Sequence, residues 1–231
     1  MALQFVLGSA GSGKSGYVFR KTVKEAQKNL KKNYYVVVPE QFTMQTQREL
    51  VRLQEKNSIM NIDVVSFQRL AYRIFDELGK TNMAVLEETG KNLVLRKVAE
   101  ERMDDLCVMQ GNMKKMGYIS EVKSLISELT QYNIDPDTLE TFIEEQNMPP
   151  AFSYKLHDIL TMYRGFRSAI SGMYITAEEV LEAFCDMAEE SKLLQDAVLV
   201  FDGFTGFTPI QNNVLYRLIG IVSDIYVTVT I

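Results

Sequence analysis

The octapeptide Gly8-Ser9-Ala10-Gly11-Ser12-Gly13-Lys14-Ser15 follows directly on the apolar run Leu3-Gln4-Phe5-Val6-Leu7, which reads as a buried strand, and a helix-forming stretch comes after it. That order matches a phosphate-binding loop at every fixed position. Glycines let the backbone turn tightly, so that successive N–H groups converge on an anion where the following helix adds positive potential. The pattern predicts a site for a nucleoside triphosphate, with Gly8, Gly11, Ser12 and Gly13 shaping the cradle. Lys14 is placed to reach the β and γ phosphates and Ser15 to ligate Mg²⁺. The plain alternative is a flexible Gly/Ser turn.

The rest of the chain repeats the same grammar. Tyr34-Tyr35-Val36-Val37-Val38 reads as a buried strand stopped by Pro39, Thr43 to about Gln54 as a helix, and Ile62-Asp63-Val64-Val65 as a third strand. Phe67, Leu70, Ala71, Ile74, Phe75 and Leu78 then recur at helical spacing. From about Asn82 to Glu190 no strand is evident and the apolar residues repeat at three and four, which predicts five or six helices. Asp135-Pro136 and Thr176-x-x-Glu179 mark two of the helix starts. Met103, Met109, Met113 and Met116 are read as fillers of a helical core rather than a binding groove. Strands return at Ala197–Phe201 and Ile225–Ile231, with a helix from Pro209 between them.

Strands alternating with helices predict an α/β fold of the P-loop NTPase, RecA-like kind, a parallel sheet with helices on both faces. The expected sheet domain comprises residues 1–80 and 191–231, interrupted by an all-helical insertion over 81–190. Because the last residues read as an apolar strand, the expectation is an excised fragment of something larger.

The formal net charge of −5 conceals an asymmetry, since residues 1–80 carry 13 Lys/Arg against 7 Asp/Glu and residues 81–231 carry 12 against 23. A basic first third suits a phosphate-rich partner, although Lys21, Lys24, Lys28, Lys31 and Lys32 also fit the wet face of one helix. No apolar run approaches the length of a membrane span, and Met1–Leu7 is too short and uncharged for a signal peptide, so the cytoplasm is the expected compartment. Cys107 and Cys185 stand apart without metal-ligand spacing and are read as half-buried thiols. His157 has no second histidine or cysteine near it in sequence and is read as packing or surface.

Asp202 ends the apolar strand far downstream of the glycine-rich loop, the position from which a carboxylate serves Mg²⁺ opposite the phosphates. The alternative is an aspartate capping the next turn. The following residue is Gly203, and Phe204-Thr205-Gly206-Phe207-Thr208 offers no general base. Binding of ATP is therefore better supported than turnover, and no residue is assigned a catalytic role.

Four blocks together carry a resemblance: Gly8 to Ser15; Val36-Val37-Val38-Pro39-Glu40-Gln41-Phe42-Thr43 with Arg48; Val64-Val65-Ser66-Phe67-Gln68-Arg69-Leu70-Ala71; and Val200-Phe201-Asp202-Gly203-Phe204-Thr205-Gly206-Phe207-Thr208-Pro209-Ile210-Gln211. In order and spacing they resemble the N-terminal segment of the AddB family, second subunits of bacterial AddAB (RexAB-type) ATP-dependent helicase/deoxyribonucleases. More loosely they resemble domain 1 of superfamily 1 DNA helicases. The resemblance implies a part in repair of DNA double-strand breaks by homologous recombination, with DNA and an AddA-type helicase/nuclease subunit as partners in a heterodimer. It makes Gln41, Thr43, Gln68 and Arg69 DNA-contact candidates, with Phe42 or Phe67 either stacking on a base or stapling a helix to the sheet.

Departures from the helicase pattern limit what the resemblance carries. Gly203 stands where a helicase has the glutamate of its Asp-Glu pair, and only seven residues precede Gly8, too few for an upstream adenine-reading glutamine motif. Later helicase motifs, the nuclease domain and its iron–sulfur cluster are expected beyond Ile231 in the parent protein, and neither cysteine here matches a cluster position. Two rival readings stand beside this one: a P-loop small-molecule or nucleotide kinase with a helical lid, and a non-catalytic scaffold whose loop stays empty.

Overall fold

The structure is a computed structural model that describes residues 2–54, 61–80 and 84–231. In chain order the elements begin with β1 (Ala2–Gly8), α1 (Lys14–Lys28), β2 (Tyr34–Val37), α2 (Thr43–Arg52), β3 (Ile62–Val65) and α3 (Phe67–Glu77). A helical stretch follows, with β4 (Val85–Leu86), α4 (Glu88–Glu101), α5 (Met116–Gln131), α6 (Pro136–Glu145), α7 (Pro150–Ile170), β5 (Ile175–Thr176) and α8 (Glu179–Met187). The chain closes with β6 (Val198–Phe201), α9 (Pro209–Ile219) and β7 (Asp224–Thr230). Two compact units result, one of Met1–Thr81 with Leu181–Ile231 and one of Asn82–Val180.

The first unit is built on a five-stranded, wholly parallel sheet in the order β1-β7-β6-β2-β3. Every residue of β2 and β6 is buried, which is why both read as unbroken apolar runs rather than alternating ones. Tyr34, Val36, Val198, Val200 and Tyr226 pack on one face with Val18, Phe19, Val23 and Ala26 of α1 and Leu50 of α2. The alternate residues Tyr35, Val37, Leu199 and Phe201 are equally buried on the other face, where Phe67 of α3 meets Phe201 at 5.4 Å. Each fully buried valine or leucine contributes about 1.5–3 kcal/mol. This is the α/β, RecA-like architecture that the alternation of elements predicts.

Two features depart from the sequence-based expectation. β1 forms, but as an edge strand paired with β7 alone among the described residues, so Leu3, Phe5 and Leu7 on one face remain 41%, 59% and 59% exposed. An apolar run shows that a strand exists without showing where in the sheet it lies. The helical region also contains strands, since β4 and β5 pair in parallel through Val85 with Ile175 and Leu86 with Thr176. Two residues apiece are too few to leave a periodic trace.

In the second unit the helices α4 to α7 close around Leu95, Val98, Ile119, Val122, Ile126, Met162, Tyr163 and Phe166. Met109 and Met113 lie in that core and Met103 packs against it, whereas Met116 is exposed. Asp135 caps α6 by accepting from the Thr138 N–H at 2.7 Å, with Pro136 at the first helical position. Thr176 and Glu179 exchange reciprocal hydrogen bonds at the start of α8, the arrangement of a capping box.

Lys91 and Asp158 are buried charges of this unit, and each is fully matched. Lys91 donates to Glu178 at 2.9 Å and to Ser127 at 3.3 Å and pairs with Glu88 at 3.0 Å. Burial pulls the Lys91 ammonium toward a lower pKa, but the two carboxylates more than offset it and hold it above the ordinary lysine value. Asp158, 1% exposed, accepts from the backbone N–H groups of Cys107, Val108 and Met109 at 2.8, 2.7 and 2.7 Å. One carboxylate thereby fixes a whole turn. Asp158→Ala should remove all three bonds and strand the buried Met109 N–H, costing about 1–3 kcal/mol, read as a lower urea midpoint.

Candidate functional site

The loop between β1 and α1 is a tight, open cradle. Gly11 and Gly13 hold positive φ angles of 73° and 87°, a region that only glycine enters without strain. Gly8 has a different reason for being glycine, because a Cβ there would lie 2.5 Å from Ser12 Oγ. Ser12 N–H closes the turn on the Ser9 carbonyl at 3.2 Å. The Lys14 ammonium lies back across the loop, donating to the Gly8 and Ser9 carbonyls at 2.9 and 2.8 Å.

α1 starts at this cradle with Gly13 as its N-cap, no side chain capping it and no acidic residue in its first turn. The first intrahelical bond runs from Tyr17 N–H to the Gly13 carbonyl, so the N–H groups before it have no helical partner. Such an end carries roughly half a positive charge. Residues Ser9 to Gly13 are exposed, and the cradle is accessible to an anion.

Asp202 follows directly on β6 and is buried, 7% exposed. Ser15 Oγ donates to its Oδ1 at 3.0 Å across 187 positions of sequence. A second hydroxyl, Thr228 Oγ1 on β7, donates to the same oxygen at 2.7 Å. The fold therefore brings Ser15 to Asp202, and adds a residue that the sequence does not signal: Thr228 is one β-branched residue in a strand of β-branched residues. Knowing that β7 lies between β1 and β6 is what would have found it.

The donors present suit magnesium. They are hard oxygens, a serine hydroxyl and one carboxylate, and Mg²⁺ is typically held by one or two carboxylates while keeping waters and taking phosphate oxygens. Among the described residues no group of three or more His, Cys, Asp or Glu could hold a metal unaided. Ser15 and Asp202 are the residues that would hold such an ion, and a phosphate group would have to complete its coordination.

The segment after Asp202 is locked by packing. Phe204 and Phe207 close on Phe67 at 5.4 and 6.1 Å and on each other at 5.1 Å, with Phe201 at 6.2 Å from Phe207. Thr208 then caps α9, accepting from Gln211 N–H while its own N–H donates to Gln211 Oε1 at 3.0 Å, and Pro209 occupies the first helical turn. Gly203, at φ 79°, is the hinge between aspartate and plug, and a Cβ on it would point at Pro39 and Phe42, 3.6 and 3.7 Å away. The phenylalanines and Thr208 of this block are structural fastenings.

Gln41 lies in the turn Glu40–Phe42 that follows β2, and Gln68 and Arg69 open α3 after β3. These three are exposed, whereas Thr43 is buried and its hydroxyl donates to the Glu40 carbonyl at 2.9 Å. Arg69 pairs with Glu40 at 2.7 Å, which ties the two segments together. Phe67 is buried within the aromatic cluster and acts as a staple, while Phe42 is 42% exposed. Elsewhere, His157 is exposed with Nδ1 2.8 Å from the Ser153 carbonyl. Cys185 is half-buried, its thiol pushed up to about 11 by burial, and Cys107 is exposed rather than half-buried.

The family model described as ADDB, N-terminal, matches residues 5–231. Proteins named as the B-type subunit of an ATP-dependent helicase/deoxyribonuclease are similar over the whole chain. The one from Lachnoclostridium phytofermentans is 42% identical over 230 residues and that from Alkaliphilus metalliredigens 34% over 230. The Clostridioides difficile protein is 32% identical over 234 residues. In each case the match covers 100% of this chain and 20% of the relative's length.

The backbone at position 203 sets a measurable limit. Gly203→Ala should cost about 1–2 kcal/mol through the left-handed φ alone, since the space for a methyl group is there. The check is chemical denaturation, with the midpoint lowered and the slope unchanged.

Proposed function

The chain belongs to the AddB N-terminal family, and on that premise we propose that it is the ATP·Mg²⁺-binding, DNA-engaging segment of an AddB-type helicase/deoxyribonuclease subunit. The observation that carries this reading is the convergence of Ser15 and Asp202 beside an open, uncapped helix N-terminus. In this reading the amides of Gly11 to Ser15 and the Lys14 ammonium take the phosphates. Ser15 and Asp202 hold Mg²⁺, which neutralises phosphate charge when bound. The nucleotide serves as a ligand that orders the domain rather than as fuel. No carboxylate adjoins Asp202 among residues 203–208, and Gly203→Glu would have to force a left-handed residue to supply one.

DNA enters through the exposed Gln41, Gln68 and Arg69, whose side chains can donate to phosphate oxygens, with Phe42 as the exposed ring for a base. Thr43 supports that turn through its bond to the Glu40 carbonyl. The partner is an AddA-type subunit, and the setting is cytoplasmic repair of double-strand breaks by homologous recombination. Among the described residues no helix is long and apolar enough to cross a membrane. A kinase reading needs arginines free to reach a transferred phosphate. Instead Arg96, Arg102, Arg164 and Arg167 each pair with carboxylates of their own unit.

Lys14→Ala should abolish ATP binding measured by calorimetry, and an unchanged affinity would remove the site from consideration. Mg-ATP at a hundredfold excess over its Kd should stabilise the wild-type chain by about 2.7 kcal/mol, raising the melting midpoint; a flat melting curve favours an empty scaffold. Glu40→Gln releases Arg69 from an exposed pair worth about 0.2–1 kcal/mol. Single-stranded DNA should then bind up to about fivefold more tightly in fluorescence anisotropy. Weaker binding would show that the pair itself is the recognised element.

A further inference from the structure

Asp202 is held from two sides, and only one of them belongs to the phosphate loop. The sheet order places β7 between β1 and β6, with Val227 opposite Phe201 and Val6 opposite Thr228. The residue that follows β6 is therefore flanked by Thr228, on the strand that separates it from the loop's own strand. Thr228 is 6% exposed and its hydroxyl proton goes to Asp202 Oδ1 at 2.7 Å, shorter than the 3.0 Å bond from Ser15 to the same atom.

We propose that Thr228 is a positioning residue for the magnesium site, fixing the Asp202 carboxylate from within the sheet so that its orientation is set before any cation or nucleotide arrives. This role rests on the reading of Ser15 and Asp202 as the cation's protein ligands. Ser15 sits in the first turn after a glycine loop and would change partners when it ligates a cation, whereas Thr228 lies inside β7, paired with Val6 of β1 and one residue beyond the Phe201–Val227 pair with β6. A hydroxyl offers one proton, and in Thr228 that proton is committed to Oδ1. Without it, Asp202 would rely on Ser15 alone, and the carboxylate would be free to turn whenever Ser15 turned to the metal. A threonine here also keeps the β-branched shape that the strand interior requires.

The test compares Thr228→Val, which keeps that shape and loses the hydroxyl, with Thr228→Ser, which keeps the hydroxyl. ATP binding is followed by calorimetry as Mg²⁺ is titrated. Thr228→Val should need about tenfold more Mg²⁺ for half-maximal enhancement of ATP affinity, the scale of a hydrogen bond to a charged group, while affinity in EDTA stays at the wild-type value. Thr228→Ser should restore the wild-type Mg²⁺ dependence. An unshifted Mg²⁺ dependence in a Thr228→Val chain that melts like wild type overturns the proposal, as does an equal loss of affinity with and without Mg²⁺. Should Thr228→Val fail to fold, Thr228→Ala against Thr228→Ser makes the same comparison.

A second readout needs no nucleotide. In crystals of the ligand-free Thr228→Val chain the Asp202 side chain should occupy more than one rotamer, and in Thr228→Ser only one. A single wild-type rotamer in Thr228→Val overturns the proposal even if the wild-type chain binds no ATP, an outcome that would itself count against the nucleotide reading alone.

Discussion

Pairing between the first strand and the last is the interaction on which the rest of this structure depends. Among the described residues β1 pairs with no other strand, and its seven residues run in register with Asp224–Thr230, more than two hundred positions away in sequence. That pairing places the glycine loop at one end of the sheet and inserts β7 between β1 and β6. Two inter-strand spacings, about 10 Å, then separate the strand bearing the loop from the strand bearing Asp202. Ser15 crosses that gap because it lies in the first turn of α1, which packs on the sheet face through Val18, Phe19, Val23 and Ala26. The site is a consequence of sheet order rather than of any local segment.

The same logic explains how a long helical insertion sits between β3 and β6 without disturbing the sheet. Loop-closure entropy grows only as the logarithm of length, so doubling an insertion costs about 0.6 kcal/mol. The inserted unit has a core of its own and satisfies its buried charges internally, with Asp158 on three backbone donors and Lys91 between two glutamates. Breaking either partner would cost more than the pair contributes when intact. Self-sufficiency of the insertion is what the sheet requires of it.

Much of this is legible in the sequence because it is written locally. Glycine spacing, unbroken apolar runs in β2 and β6, and the helix starts at Asp135 and Thr176 all act within a few residues, and the strands and helices of the sheet unit appear close to their expected bounds. What cannot be read is what depends on neighbours across the sheet. The apolar run of β1 predicts burial that the strand does not have, because edge position is a property of strand order. Thr228 is invisible for the same reason. Phe67 and Phe42 look equivalent in sequence and are not, since one lies under Phe204 and Phe207 while the other faces solvent.

The segment from Phe201 to Gln211 shows how a distinctive stretch of sequence can be built around one chemical group. Of its residues only Asp202 contributes a charge; Phe204 and Phe207 plug onto Phe67, Thr208 and Gln211 cap α9, and Gly203 makes the left-handed turn that lets the aspartate and the plug coexist. The cost of that turn is that nothing but glycine fits comfortably beside the aspartate, at the position where a water-orienting carboxylate would sit. The carboxylate is held by two hydroxyls and followed by a backbone-dictated glycine. Because β7 supplies one of those hydroxyls and also pairs with the strand that carries the loop, the rigidity of the carboxylate and the placement of the loop rise and fall with the same strand.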